Sequence, residues 1–263
     1  MPNRFVFDEP HYRALDHARI EFLRTVLPEW KRKLQLNSAL DVGCGVGHFA
    51  GMLQELGFEV SAFEGRAENA EEAERRVTGL KVYVGEAEEM GSFGTGSFDL
   101  VLALGLLYHL ENPFRVIRQL RDITGKLLVI ESMCIDDPNP VLCLRDEGHG
   151  GDQGLRYVAF YPSEACLAKM LYSAGFPFVY RFLKLPEHPD FSARWGKRRV
   201  RTMLAASATP LSEAYLAKMA EPITPEDPWI SAVGKTWNQV ARLCRFALKP
   251  WPEKMAALRR RVT

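Results

Sequence analysis

The sequence predicts an α/β fold in which a mostly parallel sheet is covered by helices on both faces. Apolar segments typical of strands alternate with helical segments from about residue 38 to residue 206, and such alternation is typical of parallel sheets with crossover helices. A second observation is a loop with three glycines in five positions, Gly43, Gly45 and Gly47, between the first strand and the first crossover helix. In this fold class such a connection lies at the ligand-binding edge of the sheet.

Seven segments have the composition of strands, and the fourth of them (SFDLVLAL) is apolar enough to be buried on both faces. The seven are residues 38–43, 58–64, 80–85, 97–104, 126–132, 176–185 and 199–207. A polar, proline-containing loop joins the last two, which suits an antiparallel hairpin. The sequence therefore predicts a Rossmann-like, seven-stranded, mostly parallel sheet with an antiparallel last strand.

Helix signals fill the intervals between these strands. One helix is expected over 48–57 and another over 67–77, where alanine, glutamate and arginine dominate. A third has Asn112 as its N-cap and is expected to end before Gly125, and a fourth is capped by Ser163 and ended by Gly175. These crossover helices would cover the two faces of the sheet.

Two regions lie outside the alternating pattern. Residues 1–37 are expected to form an N-terminal helical lead-in to a domain that spans 1–209, and residues 210–263 a basic C-terminal helical extension. From residue 194 to the end there are 14 Lys and Arg against 5 Asp and Glu. That excess suits either a phosphate-bearing partner or a set of solvated helix faces.

Composition excludes several classes of protein. The chain has 263 residues, 47% hydrophobic and 25% charged, and no apolar run long enough to span a membrane. Its first residues have no signal-peptide core, and its five cysteines are scattered. The histidines and cysteines lack metal-ligand spacing. We therefore expect a cytoplasmic protein without a membrane span, a disulfide framework or a metal site.

The glycine loop indicates a particular kind of cofactor. Its spacing is G-x-G-x-G, not the G-x-G-x-x-G expected of dinucleotide folds, and Asp41 precedes it. A carboxylate there would repel a pyrophosphate and suits a positively charged amino acid portion. This favours S-adenosylmethionine over a nicotinamide dinucleotide. Glu64, at the end of the second strand, is placed to accept hydrogen bonds from ribose hydroxyls.

Four motifs in order resemble those of the class I S-adenosylmethionine-dependent methyltransferases. They are LDVGCGVG, FEG, VGEAEEM and GSFDLVLALGLLYHL, within residues 38–207. The resemblance implies that Asp41 and the three glycines form the methionine and ribose pocket, with Glu64 on the ribose. It implies that Glu86, where the family commonly has Asp, contacts the adenine amino group. Ala87 and Leu104 would pack near the adenine and the sulfur.

The reactive end of the site is expected just beyond the fourth strand, at Tyr108 and His109. A methyl transferase must align acceptor, methyl carbon and sulfur, and remove a proton if the acceptor carries one. A neutral imidazole at His109 is a suitable base. Alternatively, His109 satisfies backbone groups and catalysis is purely positional.

The long segment 133–161 follows the fifth strand and is expected to cover the site. Within it, Arg156 and Tyr157 are the favoured substrate-facing residues. The wider set of candidates is Asp146, Glu147, His149, Asp152, Arg156 and Tyr157. Arg201, on the last strand, either faces solvent or points back to the site, where it would bind an anion. In the N-terminal helix, Tyr12, Arg13 and Arg19 either close over the cofactor or serve only packing and solvation.

A closer, partial resemblance covers residues 104–207, which are similar to the tRNA wobble-uridine carboxymethyltransferases. Those enzymes use carboxy-S-adenosylmethionine, and a Tyr beside the His and an Arg on the last strand contact its extra carboxylate. Tyr108 and Arg201 stand at the matching places. The N-terminal region departs from the pattern, because nothing in it matches that family's longer, lysine-bearing region.

Three hypotheses follow for function. The leading one is a methyltransferase that moves a methyl group from S-adenosylmethionine to an oxygen or nitrogen of a small molecule. The second is an RNA-modifying enzyme, a tRNA uridine carboxymethyl- or methyltransferase, with nucleic acid as the less favoured partner. The third is a non-catalytic adenosylmethionine-fold interaction module. The sequence leaves the acceptor and the oligomeric state open.

Overall fold

The computed structural model describes residues 5–94, 96–192 and 200–222. Within these ranges the strands are β1 (Ser38–Val42), β2 (Glu59–Glu64), β3 (Lys81–Val84), β4 (Phe98–Leu104), β5 (Thr124–Met133), β6 (Leu142–Asp146), β7 (Val158–Pro162), β8 (Phe178–Phe182), β9 (Arg201–Ser207) and β10 (Leu216–Lys218). The α-helices are α1 (Pro10–Leu34), α2 (His48–Glu55), α3 (Ala67–Arg76), α4 (Pro113–Ile123) and α5 (Glu164–Ser173).

Eight strands form one sheet in the order β10-β8-β9-β5-β4-β1-β2-β3. Strands β1 to β5 of this sheet run parallel to one another, and β9 lies antiparallel between β5 and β8. The prediction of a Rossmann-like, mostly parallel α/β sheet is confirmed, and so is the antiparallel direction of the strand predicted over 199–207, which is β9. The strand order reverses between β1 and β4, which is where sheets of this type bind ligands.

Alternate residues of the central strands pack into apolar clusters on opposite faces of the sheet. Leu100 and Leu102 of β4 pack into one apolar cluster with Leu27 and Trp30 of α1. Val101, the residue between them, packs into the opposite cluster, which includes residues of α4 and α5. A strand covered on both sides reads as a continuous apolar run, as the segment SFDLVLAL does.

Local signals explain where the helices begin and end. The Ser163 hydroxyl accepts the N–H of Cys166 at the start of α5, and Gly175 follows the helix at φ +98°. Helix α4 ends at Ile123 and runs directly into β5, so Gly125 belongs to the strand. A Cβ at Gly125 would lie 3.2 Å from the carbonyl oxygen of Phe98, which explains a glycine inside a strand.

Two features differ from the sequence prediction. Residues 142–162 contain the antiparallel hairpin β6–β7, whose leucines at 142 and 144 are exposed and give no buried-strand signal. Beyond residue 209 the chain forms β10, which pairs antiparallel with β8 and brings the main sheet to eight strands where seven were predicted. The compact unit thus extends to Pro222, beyond the expected boundary at 209. The predicted C-terminal helices beyond that point lie outside the described residues.

Among the described residues, no helix is long and apolar enough to cross a membrane.

Candidate active site

The glycine loop turns the chain from β1 into α2 with left-handed backbone at each glycine. The φ angles of Gly43, Gly45 and Gly47 are +75°, +52° and +87°, values that residues with a Cβ rarely adopt. At Gly47 a Cβ would also lie 3.2 Å from side-chain atoms of α3. The three glycines are therefore needed for the turn itself and for the approach of α3.

Glu64, the last residue of β2, is fixed by three donors. Its carboxylate accepts the N–H of Gly45 at 2.9 Å, the N–H of Arg66 at 3.0 Å and the amide of Asn69 at 3.3 Å. Because the carboxyl ends of parallel strands share one edge, the glycine loop and Glu64 meet there. Glu64 is 8% exposed and lines the pocket described next.

A pocket of about 250 Å³ opens along this edge of the sheet. Helix α1 and the loop 147–157 lie over it. The Tyr12 hydroxyl on α1 hydrogen-bonds to the Asp152 carboxylate of the loop, and Arg66 donates to the carbonyl of Gln153 at 3.0 Å. The N-terminal helix thus closes over the pocket through Tyr12.

Asp41 lies behind the glycine loop and does not line the pocket. It is 1% exposed, and its Oδ2 has no hydrogen-bond partner among the described residues. Burial, aided by the negative charge of Glu64, raises the pKa of Asp41 to about 7. A cation bound in front of the loop would stabilise the charged form of this carboxyl group.

The inner end of the pocket holds a buried set of charged groups centred on Glu131 of β5. Its carboxylate pairs with Arg19 of α1 at 2.7 Å and with Arg201 of β9 at 3.0 Å. Arg201 also donates to the Tyr108 hydroxyl at 3.2 Å. Of the two expected orientations, Arg201 takes the one that points back to the site, and it is 7% exposed.

A second acid balances Arg19. Asp16, one helical turn before it, accepts from Arg19 at 3.0 Å and contacts the Nδ1 of His48 at 3.1 Å. The two guanidinium groups at the inner end thus face two buried carboxylates. Burial raises the pKa of Tyr108, so its hydroxyl keeps its proton.

His109 follows Tyr108 in a single turn of 3-10 helix, Leu107–His109. Its Nδ1 contacts one carboxylate oxygen of Glu147, whose other oxygen accepts the N–H of Gly154 at 2.8 Å. The imidazole lies against the Tyr108 ring, with centroids 4.1 Å apart. Tyr108, His109 and Glu147 all line the pocket.

Two predicted residues of the covering segment behave differently from one another. Arg156 reaches the pocket and pairs with Glu86 at 2.8 Å, in a contact whose side chains are 57% and 40% exposed. Tyr157 is 48% exposed, adopts φ +57° and lies against the His149 ring in a tilted contact with centroids 4.0 Å apart. It does not line the pocket.

Most of the predicted site residues therefore meet in one pocket. Those that line it are Gly43, Gly45, Glu64, Glu86, Ala87, Leu104, Tyr108, His109, Arg156 and Arg201. Asp41 lies behind the loop, Gly47 is the N-cap that precedes α2, and Tyr157 lies outside the pocket.

Sequence reasoning missed Glu131 and Asp16. Glu131 lies in the run KLLVIES, which reads as an ordinary buried strand, and a lone acid in such a run was a signal that it faces a buried cation. Asp16 lies three residues before Arg19, the spacing that places both on one helix face.

Comparisons with known proteins identify methyltransferases as similar to this chain. Residues 40–126 match the family model described as a methyltransferase domain. A tRNA U34 carboxymethyltransferase of Desulfotalea psychrophila is 29% identical over 172 residues, which are 62% of this chain and 51% of that protein. One from Shewanella woodyi is 33% identical over 156 residues, 54% and 44% of the two chains. The chain spans about half the length of these curated relatives.

Solved structures resemble the fold at lower identity. The N-terminal domain of EvdMO1 with S-adenosylhomocysteine bound has a TM-score of 0.56 at 20% identity, covering 74% of this chain and 80% of that one. A magnesium protoporphyrin IX methyltransferase from Synechocystis PCC 6803 with S-adenosylmethionine bound gives 0.51 at 16% identity, covering 74% and 81%.

The sheet order, the glycine loop and the acid at the end of β2 define the Rossmann-like fold of the class I S-adenosylmethionine-dependent methyltransferases, as predicted. Within that class, the chain carries a methyltransferase domain, matched over residues 40–126.

Proposed function

We propose that the protein is an S-adenosylmethionine-dependent methyltransferase that transfers a methyl group to an oxygen or nitrogen of a small acceptor. The observation that carries this proposal is that the loop held by Glu64 and the imidazole of His109 line one pocket. A cofactor site and a candidate base that share a cavity are what such a transfer requires.

The residues present fit this cofactor. Glu64 offers carboxylate oxygens toward ribose hydroxyls, and the N-terminus of α2 follows the glycine loop. Asp41 is buried, and one of its oxygens has no hydrogen-bond partner within the part of the chain that the structure describes. It supplies negative charge behind a loop that would face the ammonium and sulfonium groups. Glu86, Ala87 and Leu104 line the remainder of the wall. Relatives of the fold that have S-adenosylmethionine or S-adenosylhomocysteine bound support the same cofactor.

The chemistry divides between the cofactor and the protein. When bound, S-adenosylmethionine would supply an electrophilic methyl carbon and a sulfur leaving group. Tyr108 and His109 line the end of the pocket beyond β4, where they orient the acceptor and exclude water. The Nε2 of His109 takes the proton that the acceptor loses, because its Nδ1 is engaged by Glu147.

Charge supports a small neutral or cationic acceptor. The described residues that line the pocket include six carboxylates against four guanidinium groups. The acids are Asp16, Glu64, Glu86, Glu88, Glu147 and Asp152, and the bases are Arg19, Arg66, Arg156 and Arg201. An excess of negative charge attracts a cationic cofactor and repels a polyanion. Arg156, already paired with Glu86, then guides the acceptor at the pocket mouth.

Calorimetry and a turnover screen test this proposal together. We expect S-adenosylhomocysteine to bind one site per chain, and amines and phenols to yield methylated products by mass spectrometry. The variant His109→Ala should reduce turnover by about 100-fold or more, since a general base typically contributes that much. Turnover within about threefold of wild type would show that His109 is not the base.

A second candidate is an RNA-modifying enzyme that uses a carboxylated cofactor. The curated relatives named above are tRNA U34 carboxymethyltransferases, and Arg201 contacts the Tyr108 hydroxyl at 3.2 Å. This pair would meet an extra carboxylate. Against it stands charge balance: Glu131 and Asp16 already match Arg19 and Arg201, so a further carboxylate would be in excess.

Two measurements separate the candidates. Under the leading proposal, S-adenosylmethionine binds at least about 10-fold more tightly than its carboxylated analogue, a difference of about 1.4 kcal/mol. Affinity for bulk tRNA should also be weak at low salt. The reverse preference, with tight tRNA binding that falls steeply as salt rises, would favour the RNA-modifying enzyme.

We infer a cytoplasmic location from the scattered cysteines.

A further inference from the structure

The Glu147 carboxylate is buried against the Nδ1 side of the His109 imidazole. The side chain of Glu147 is 6% exposed and that of His109 is 16% exposed. One carboxylate oxygen contacts the imidazole Nδ1, and the other accepts the N–H of Gly154 at 2.8 Å. The backbone N–H of Glu147 donates to the carbonyl of Tyr157 at 3.0 Å, which closes the loop. The carboxylate is therefore held from both sides.

Gly154 permits this arrangement because it has no side chain. A Cβ at that position would lie 2.3 Å from the carbonyl oxygen of His109 and 2.7 Å from the Oε2 of Glu147. Both contacts are shorter than real Cβ atoms make, and one of them is with backbone. The backbone of the loop 147–157 therefore packs closely against His109 at Gly154, and the same loop places the Glu147 carboxylate beside the imidazole.

We propose that Glu147 is a positioning residue for His109, holding the imidazole in the tautomer with hydrogen on Nδ1 and leaving the Nε2 lone pair for the acceptor. A carboxylate on one ring nitrogen fixes both the tautomer and the ring orientation. It also stabilises the imidazolium that forms as the acceptor's proton moves to Nε2. This inference rests on the proposed function, in which His109 is the base.

The location of Glu147 gives the arrangement a second consequence. It lies on the loop that covers the pocket, whereas His109 lies on the turn after β4. The base is therefore complete only when this loop lies over the site, so that proton removal is coupled to coverage of the pocket. A loop that served coverage alone would not require a buried carboxylate.

The test compares Glu147→Gln, which keeps size and removes charge, with Asp146→Asn, which removes the neighbouring exposed acid on the same hairpin. We expect Glu147→Gln to lower kcat by about 10- to 100-fold with KM within about threefold. Affinity for S-adenosylhomocysteine should stay within about twofold, and Asp146→Asn should change none of these quantities. The double variant His109→Gln with Glu147→Gln should be no slower than His109→Gln alone, because both changes remove one function. The proposal would be overturned if the two substitutions lowered kcat multiplicatively in the double variant, or if Glu147→Gln raised KM and left kcat unchanged.

A spectroscopic readout does not depend on turnover. Nitrogen NMR of the full chain bound to S-adenosylhomocysteine, in mildly alkaline buffer, reports which ring nitrogen of His109 carries hydrogen. We expect Nδ1–H in the wild type and a mixed population in Glu147→Gln, whereas Glu147→Asp, which keeps the charge, should retain part of the Nδ1–H form. An Nε2–H ring in the wild type, or no change in Glu147→Gln, would refute the role of Glu147. Absence of S-adenosylhomocysteine binding would instead refute the proposed function, and the tautomer can still be read on the free protein.

Discussion

Arg19 and Glu131 form a buried ion pair of 2.7 Å, although one lies on the N-terminal helix and the other on the fifth strand. The side chain of Glu131 is fully buried and that of Arg19 is 6% exposed. Arg201 reaches the other oxygen of the same carboxylate from β9. One acid thus joins the N-terminal helix to the last strand of the predicted pattern.

The first prediction concerns this acid. Glu131→Gln leaves two buried guanidinium groups without their shared counter-charge, so we expect the free energy of unfolding to fall by about 3 kcal/mol. Urea denaturation measures it, with the exposed Glu111→Gln as the matched control. A loss below about 1 kcal/mol would mean that solvent or Asp16 compensates for the missing charge.

The second prediction concerns cofactor affinity. Glu64→Gln keeps the shape of the side chain but weakens the hydrogen bond it accepts from the glycine loop and those that we propose it accepts from ribose hydroxyls. We expect affinity for S-adenosylhomocysteine to fall about 10- to 100-fold, because hydrogen bonds to charged groups contribute about 1.5 to 3 kcal/mol. Calorimetry checks this against Glu59→Gln, an exposed acid at the start of the same strand. Equal affinities of the two variants would remove Glu64 from the cofactor site.

The third prediction concerns pH and Asp41, whose pKa rises from 3.8 to about 7 on folding because the group is buried. The folded protein then holds a proton that the unfolded chain releases at lower pH. Stability therefore falls as pH rises between about 4 and 7, by up to about 4 kcal/mol. Urea unfolding across this window should show a flatter profile for Asp41→Asn than for wild type, and no such flattening for the exposed Asp122→Asn. Parallel profiles for wild type and Asp41→Asn would contradict the burial effect.

The fourth prediction concerns Glu86, which pairs with Arg156 near the surface. Because both side chains are exposed, we expect Glu86→Ala to change the free energy of unfolding by less than about 1 kcal/mol. Affinity for S-adenosylhomocysteine should nevertheless fall about 5- to 30-fold if Glu86 accepts the adenine amino group. The control is Glu89→Ala, which breaks a similar exposed pair with Arg115 outside the pocket. If the two variants bind the cofactor equally well, Glu86 has no adenine contact.

The sequence predicts the strands of the main sheet more accurately than the segment after β5 that covers the pocket. Strands β1, β2 and β4 begin and end within one residue of their expected bounds, because each is a short apolar run next to a glycine or a turn. The hairpin β6–β7 is not predicted, because β6 is mostly exposed and its sequence has no period that distinguishes it from a loop. Glu131 was missed for a different reason: its role depends on two arginines that are distant in the chain, and no local pattern records that meeting.

Strand β9 has a consequence for how the protein is made. It lies between β5 and β8 and brings Arg201 to Glu131, so the inner wall of the pocket draws on residues from both ends of the described chain. During synthesis the N-terminal helix emerges long before the strand that completes its surroundings. A nascent chain that stops short of residue 201 therefore lacks a finished pocket, and assembly of the site waits for late, non-local pairing.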